Sequence, residues 1–237
     1  FLPAAYQGTP LGNATVAASQ ATVQHIRNSR LTPAQQRVQL DLIGQMNQDH
    51  LSATGPSSAL EGRLNSFELA FRMQMAMPEA QDISSESDAT RKLYGLDHPV
   101  TENFGRQCLL ARRFAERGVR FIQVTHSDGD VQWDQHGNLF TQLEQQCIDT
   151  EGPSAALVRD LKDRGMLDDT LIIWGGEFGR TPMAQSDGRD HHIKGYSIWM
   201  AGGGVKAGHV HGTTDDFGYS VLDGGVSVHD LHATILR

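Results

Sequence analysis

The stretch that decides the fold runs from Leu171 to Gly204 and reads LIIWGGEFGRTPMAQSDGRDHHIKGYSIWMAGGG. Its first apolar run stops at two glycines and a glutamate, and a second apolar run begins at Tyr196. An arginine and an Asp-His-His sequence occupy the gap between the two runs. The connection between two strand-like segments therefore carries titratable groups. This pattern predicts a polar site at the edge of a β-sheet.

The pattern around this stretch is typical of an α/β domain. Strand-like runs at Val119–His126, Thr170–Gly175 and from Tyr196 onward alternate with helix-like segments. Because crossovers of this length join parallel strands, we expect a mostly parallel sheet flanked by helices. We interpret 1–237 as a single domain whose βαβ core is 101–237.

The first hundred residues predict loops and helices. One helix is expected to begin at Thr32, a good N-cap residue, with Pro33 at its first helical position. A second helix is expected to end at Pro78 and to bury one apolar face in the core. The residues of that predicted face are Leu60, Leu64, Phe67, Phe71 and Met75.

Composition excludes several classes of function. The chain has 237 residues and a formal net charge of -8. An acidic chain without a basic run is not suited to binding nucleic acid. The sequence contains no run of about 18 apolar residues, so it does not predict a membrane span. Cys108 and Cys147 lie among apolar neighbours, so we expect two buried thiols, while a disulfide between them stays open.

Carboxylates and imidazoles follow the predicted strands, where ligands bind in open α/β sheets. Mixed oxygen and nitrogen donors favour a transition metal, with zinc or manganese as the cofactor. Arg180 offers a planar fork for an oxyanion such as phosphate or sulfate, so it is the candidate catalytic residue. The candidate metal ligands are Asp134, His136, Glu177, His191 and His192.

Plainer interpretations of these residues stay open. Asp134 and His136 could form a solvated or capping pair, and Glu177 could pair only with Arg180. Two further histidines, His209 and His211, are expected at the surface. The remaining pair in the C-terminal segment, His229 and His232, is expected in the first turns of a helix.

Several motifs resemble the bacterial domain-of-unknown-function family 1501, and this resemblance implies a place in the alkaline phosphatase and sulfatase superfamily. These motifs are LLARRFAERGVRFIQVTH, WDQHGN, IIWGGEFGRTP, GRDHH, GYSIWMAGGGVKAG and HDLHATIL. GEFGRTP followed by GRDHH is specific in combination. The resemblance implies an alkaline phosphatase-like fold and a two-metal hydrolase acting on a phosphate or sulfate ester, a small anionic substrate.

The resemblance also implies that this chain is an internal fragment, incomplete at both ends. The superfamily's nucleophile and first metal-binding aspartate have no recognisable counterpart in it. An exposed sheet edge in such a fragment would favour pairing with another copy. Relatives that are exported by a twin-arginine route imply a periplasmic or exported location. The alternatives are a non-catalytic member of the same fold, acting in binding or structure, and an unrelated α/β binding domain.

Overall fold

The computed structural model describes residues 8–13, 15–23, 26, 28–126 and 133–237. Most helices precede the strands, and one helix closes the chain. The helices are α1 (Pro33–Thr54), α2 (Ser58–Gln81), α3 (Asp88–Leu93), α4 (Glu102–Glu116), α5 (Leu139–Asp163) and α6 (Val228–Ile235). The strands are β1 (Ile172–Trp174), β2 (Gly179–Gln185), β3 (Gly188–His192), β4 (Trp199–Ala201), β5 (Thr213–Thr214) and β6 (Val221–Asp223).

The start of α1 is confirmed. The backbone N–H of Gln35 donates to the Thr32 hydroxyl at 3.3 Å, and the Gln35 side chain accepts from the Thr32 N–H at 3.0 Å. This reciprocal pair is a capping box, which satisfies two amides that the first helical turn leaves without partners. Pro33 occupies the first helical position, where its missing N–H costs nothing.

The predicted buried face of α2 is wrong. Phe67 and Met75 are 47% and 56% exposed, and Ala80 is the one buried residue that α2 contributes among the described residues. The physical reason is the position of α2, which contacts α1 where Arg37 meets Glu68 and Phe71 and reaches the core only near its C-terminal end. Apolar residues of α1, such as Leu42, are exposed as well.

Pro78 does not end α2, because the helix continues to Gln81. The side chain of Arg113 explains this extension. Its Nε donates to the Ala80 carbonyl at 2.9 Å and its Nη2 donates to the Glu79 carbonyl at 3.0 Å. A buried guanidinium therefore donates hydrogen bonds to carbonyl groups that the end of the helix leaves without partners.

The core is built around α4. Nine of its fifteen residues are buried, and they pack with Tyr94 and with α5. Gly118 follows α4 with a φ of +78°, in the left-handed conformation that commonly ends a helix.

A buried ion-pair network centred on Arg112 ties this core together. Arg112 is 2% exposed and lies 2.7 Å from Glu86, 2.6 Å from Glu116 and 2.9 Å from Asp160. The Nε atom near Asp160 is not aligned for a hydrogen bond, so that contact is electrostatic. The Tyr94 hydroxyl donates to Asp160 at 3.0 Å. The network therefore links α4 to α5 and to the segment before α3.

The helix α5 runs without a break through Gly152 and Pro153. The cysteine prediction is half right. Cys108 on α4 is buried, whereas Cys147 on α5 is exposed, and both are free thiols. Cys147 lies on the side of α5 that turns away from the α4 core, which the apolar neighbours in its sequence do not reveal.

The predicted parallel sheet does not form among the described residues, whose strands make three separate two-stranded antiparallel sheets. The pairs are β1 with β4, β2 with β3, and β5 with β6. A parallel β1–β4 pair would need a helical crossover. The chain between these strands instead folds into the β2–β3 hairpin, which returns β4 alongside β1 in the opposite direction.

The predicted strand Val119–His126 has no ladder partner among the residues that the structure describes. Ile122 and Val124 nevertheless pack against the core cluster. Its alternating apolar residues are therefore partly buried in an extended segment.

The last helix, α6, starts with a capping box between Ser227 and Asp230. His229 and His232 lie in its first turns, as predicted, and His209 and His211 are exposed, also as predicted. Across the described ranges, no helix combines the length and apolar character that a membrane crossing requires.

We predict that Arg112→Ala lowers the free energy of unfolding by about 3–5 kcal/mol, because it leaves buried carboxylates without a counter-charge. The exposed Arg72, paired with Glu68 on α2, is the control, and its replacement by alanine should cost less than about 1 kcal/mol. Urea denaturation measures both. Equal losses in the two variants would contradict a structural role for the network.

The two thiols should differ in reactivity. Burial raises the pKa of Cys108 to about 12 and hides its sulfur, whereas Cys147 is exposed. An aromatic disulfide reagent at mildly alkaline pH should therefore titrate one thiol in the native protein and two in denaturant. Cys147→Ser should abolish the native reaction, and a fast reaction that persists in this variant would contradict the burial of Cys108.

Candidate metal centre

The site is assembled from two chain segments. One is the loop that leads from Trp133 into α5, and the other is the β2–β3 hairpin. Gln185 pairs with Gly188 across the hairpin, so the connection is the two-residue turn Ser186–Asp187, with Ser186 at a φ of +54°. Tight turns of this kind fix the register of the strands that they join.

A close backbone approach joins the two segments. The Arg189 N–H donates to the Gln135 carbonyl at 2.9 Å. A Cβ atom at Gly188 would fall on the backbone of Gln135 and His136, so only glycine permits this approach. The buried Gln135 side chain also donates to Gln146 of α5 at 2.6 Å. The hairpin therefore docks on a loop that is itself anchored to α5.

Docking brings three of the predicted ligands together. His191 Nε2 lies 2.7 Å from Asp134 Oδ1, His136 Nε2 lies 3.0 Å from the same oxygen, and the two imidazole nitrogens are 3.0 Å apart. This Asp134–His136–His191 group, called the triad below, is partly open to solvent.

The separations within the triad fit a shared divalent ion. Zinc bonds of about 2.0–2.1 Å in a tetrahedron place neighbouring ligand atoms about 3.3 Å apart, slightly more than the distances here. A carboxylate and two imidazoles are also ordinary zinc ligands. The residues present could thus hold a zinc-like ion after a small outward adjustment.

Gln185 explains how His136 is oriented. Its Oε1 lies 2.7 Å from His136 Nδ1, and a carbonyl oxygen can only accept, so Nδ1 carries the proton. In a neutral ring the Nε2 atom then presents a bare lone pair toward Asp134 and His191. This lone pair can accept the proton that a neutral His191 carries on Nε2, which also faces Asp134, or it can bind a metal ion. Partners that orient a ligating histidine from behind are typical of metal sites.

Arg180 joins the triad to Glu177. Its Nη2 lies 3.0 Å from Asp134 Oδ1 and 2.8 Å from Glu177 Oε1, and it also donates to the Trp133 carbonyl at 3.3 Å. The guanidinium lies over the Phe178 ring at 5.2 Å, which limits its freedom to move. Glu177 therefore borders the triad as the ion-pair partner of Arg180, without belonging to the triad itself.

His192 points elsewhere. It is 4% exposed, its Nε2 lies 2.7 Å from the Tyr219 carbonyl, and its ring stacks on Tyr219. Neighbouring residues on a strand face opposite sides, so β3 directs His191 toward Asp134 and His192 toward the 215–221 segment. The structure therefore brings together three of the five candidate ligands, with Glu177 beside them and His192 apart.

The electrostatics favour ionised carboxylates at this site. The hydrogen bond to His191 lowers the pKa of Asp134 below its usual value, and Arg180 acts in the same direction. Desolvation acts to raise the pKa of Glu177, but the hydrogen bond from Arg180 helps to bring its pKa below the usual value. Both groups are then negatively charged near neutral pH, as a cation site requires.

Three contributors escaped the sequence analysis, namely Gln185 behind His136, Gly188 at the close approach, and Phe178 against Arg180 and His191. The Asp187-Gly188 dipeptide was the available signal. Asp-Gly between strand-like runs is a strong indication of a tight hairpin. Reading it so would have placed Gln185 and His191 on paired strands.

The comparisons now bear on this geometry. The sequence profile of the family described as Protein of unknown function (DUF1501) matches residues 1–237. The chain belongs to the DUF1501 family. No curated protein and no solved structure matches this DUF1501 chain.

We predict that Gly188→Ala in the DUF1501 chain lowers the free energy of unfolding by about 1–3 kcal/mol, because the added methyl group overpacks the docked loop. It should also weaken any zinc binding, since His191 moves with the hairpin. Gly62 on α2 has open space around it, so Gly62→Ala is the control and should be neutral or stabilising. Urea denaturation and zinc titration of both variants check this, and an unperturbed Gly188→Ala protein would contradict the docking contact.

Proposed function

We propose that this chain contributes a divalent-metal site to a hydrolase of phosphate or sulfate esters, related to the alkaline phosphatase and sulfatase superfamily. The observation that carries the proposal is the triad, in which three ligand atoms lie 2.7–3.0 Å apart. The superfamily relationship itself rests on the sequence motifs GEFGRTP and GRDHH.

Zinc is the metal that best suits the triad. Manganese accepts similar ligands but favours oxygen donors and more of them than the triad offers. Asp134, His136 and His191 would hold the ion, and Gln185 would keep the His136 ring in place. A bound zinc ion would supply Lewis-acid polarisation of an ester oxygen.

Arg180 is the group best placed to recognise an anionic ester. It borders the triad and presents a planar set of donors, two of which reach Asp134 and Glu177 through one nitrogen. Its buried Nε has no hydrogen-bond partner among the described residues. A guanidinium with unused donor capacity beside a cation site matches what a phosphate or sulfate group requires.

One observation favours the non-catalytic alternative. Asp134 Oδ1 already lies within 3.0 Å of Arg180, His136 and His191 at once. If His191 carries its ring proton on Nε2, it donates to Asp134, and this set is a complete ion-pair network that needs no metal. The fold would then use the same residues to join the hairpin to the loop, and the chain would act in binding or structure.

Zinc titration calorimetry separates the two cases. We predict that the wild-type chain binds zinc, and that His191→Ala weakens the affinity more than about 100-fold. Gln185→Leu should weaken it by about 10-fold, because it removes only the partner behind His136. An unchanged zinc affinity in His191→Ala would contradict the triad as the ligand set.

The neighbouring His192 supplies the matched control. His192→Ala removes an imidazole from the same strand but the opposite face, so it should leave the zinc affinity unchanged while lowering stability. Equal loss of zinc binding in His191→Ala and His192→Ala would contradict the triad as the binding site. No zinc binding by the wild-type chain would favour the ion-pair network.

Hydrolysis of 4-nitrophenyl phosphate and 4-nitrophenyl sulfate by the zinc-loaded protein tests the catalytic part. Arg180→Ala should lower kcat/KM by about 100-fold, since it removes a donor from the developing charge of the transition state. Zinc binding without hydrolysis above the level of His191→Ala would support a non-catalytic member with a structural ion.

A further inference from the structure

A groove beside the triad is unlike the rest of the surface. It lies between α5 and the β1–β4 sheet, and its volume is about 510 Å³. Trp133, Trp174 and Trp199 all line it, and the chain contains no other tryptophan. Residues of α5 form the opposite wall, among them Leu143, Val158 and the carboxylate-bearing Glu151. A concave, mostly apolar cavity of this size suits a small molecule.

The indole rings are available for stacking. Trp174 and Trp199 face each other across the β1–β4 pair with ring planes 8° apart and centroids 6.3 Å apart. They remain 42% and 39% exposed. Trp133 already donates its ring N–H to His126 at 3.0 Å, which fixes the ring without using its faces. Held in this way, the rings form flat apolar surfaces inside a cavity.

The groove adjoins the charged site through Trp133, which lines the groove. Trp133 directly precedes Asp134, and its carbonyl accepts from Arg180 at 3.3 Å. Trp174 ends β1 only three residues before Glu177. A ligand that reaches from Arg180 into the groove would therefore need a charged group at one end and an apolar group at the other.

We propose that this groove binds a ring with an apolar face, carried by the ester whose anionic group lies at Arg180. The inference rests on the proposed function for the anionic end and on the three tryptophans for the ring end. An aryl ring and a sugar ring share this chemistry, because the planar face of the first and the C–H face of the second both pack on indole. The substrate class is thus an anionic ester of a ring-bearing alcohol.

The protein provides two reporters without modification. Tryptophan fluorescence reports on the groove alone, because all three tryptophans line it. Cys147 also lines the groove and is exposed, whereas Cys108 is buried, so the rate of native thiol modification reports on access to the groove. The probes are phenyl phosphate, glucose 6-phosphate and methyl phosphate, together with phenol as a ring without an anion.

We expect phenyl phosphate or glucose 6-phosphate to bind at least about 10-fold more tightly than methyl phosphate, from the apolar area of the ring. The tighter of the two identifies the kind of ring. The same ligand should change tryptophan fluorescence and slow modification of Cys147. Ser154→Phe, which fills the groove from α5, should remove the preference, while Phe121→Ala, an exposed ring outside the groove, should keep it.

The outcomes distinguish this inference from the proposed function. Equal binding of all three phosphates, with unchanged fluorescence and Cys147 reactivity, would overturn the groove inference and leave the anionic site standing. Phenol protection of Cys147 in a protein that binds neither zinc nor phosphate would overturn the hydrolase proposal and keep the groove as a ring site. Cys147 protection that rises with protein concentration alone would overturn the groove inference in favour of a second copy as its occupant.

Discussion

The candidate site depends on one backbone contact, the hydrogen bond from Arg189 N–H to the Gln135 carbonyl, made possible by the absence of a side chain at Gly188. Without this contact, the hairpin that carries His191 would lose its backbone link to the loop that carries Asp134. With it, a carboxylate from a loop and an imidazole from a hairpin come within 2.7 Å of each other. The loop in turn rests on α5 through the Gln135–Gln146 pair, and α5 rests on α4 through the Arg112 network. The site is therefore positioned by the helical core, although its residues come from a loop and a hairpin outside that core.

The residue types in the sequence were sufficient to predict which polar residues gather at the site. They were not sufficient to predict which of these residues form the triad. Asp134, His136, Glu177, Arg180 and His191 each stand near the end of an apolar run, and the structure brings them within a few ångströms of one another. His192 was included because adjacent residues look alike in a sequence, whereas strand geometry sends them to opposite faces. Glu177 was taken as a ligand because its carboxylate suits a metal, whereas in the fold Arg180 takes it as an ion-pair partner.

The fold was harder to predict for a physical reason. Apolar runs indicate strands, but the direction in which two strands pair depends on what lies between them. The turn at Ser186 and Asp187 converts the expected crossover into a hairpin, and the β1–β4 pair becomes antiparallel. Helix starts such as Thr32 are local and were predicted correctly. The exposed side of α2 was not, because the helical spacing of apolar residues shows which face is apolar and not whether anything covers it.

The uneven burial of the helices has a consequence for cooperativity. Among the described residues α1 buries none of its residues and α2 buries only Ala80, whereas α4 buries nine. The free energy of local opening rises with the apolar area that opening exposes, so α1 and most of α2 form a separate foldon with little protection. Their amide protons exchange by fraying well before the global transition that releases α4. We therefore expect the melting of this helical pair and the opening of the triad to be two distinct thermodynamic events in one chain.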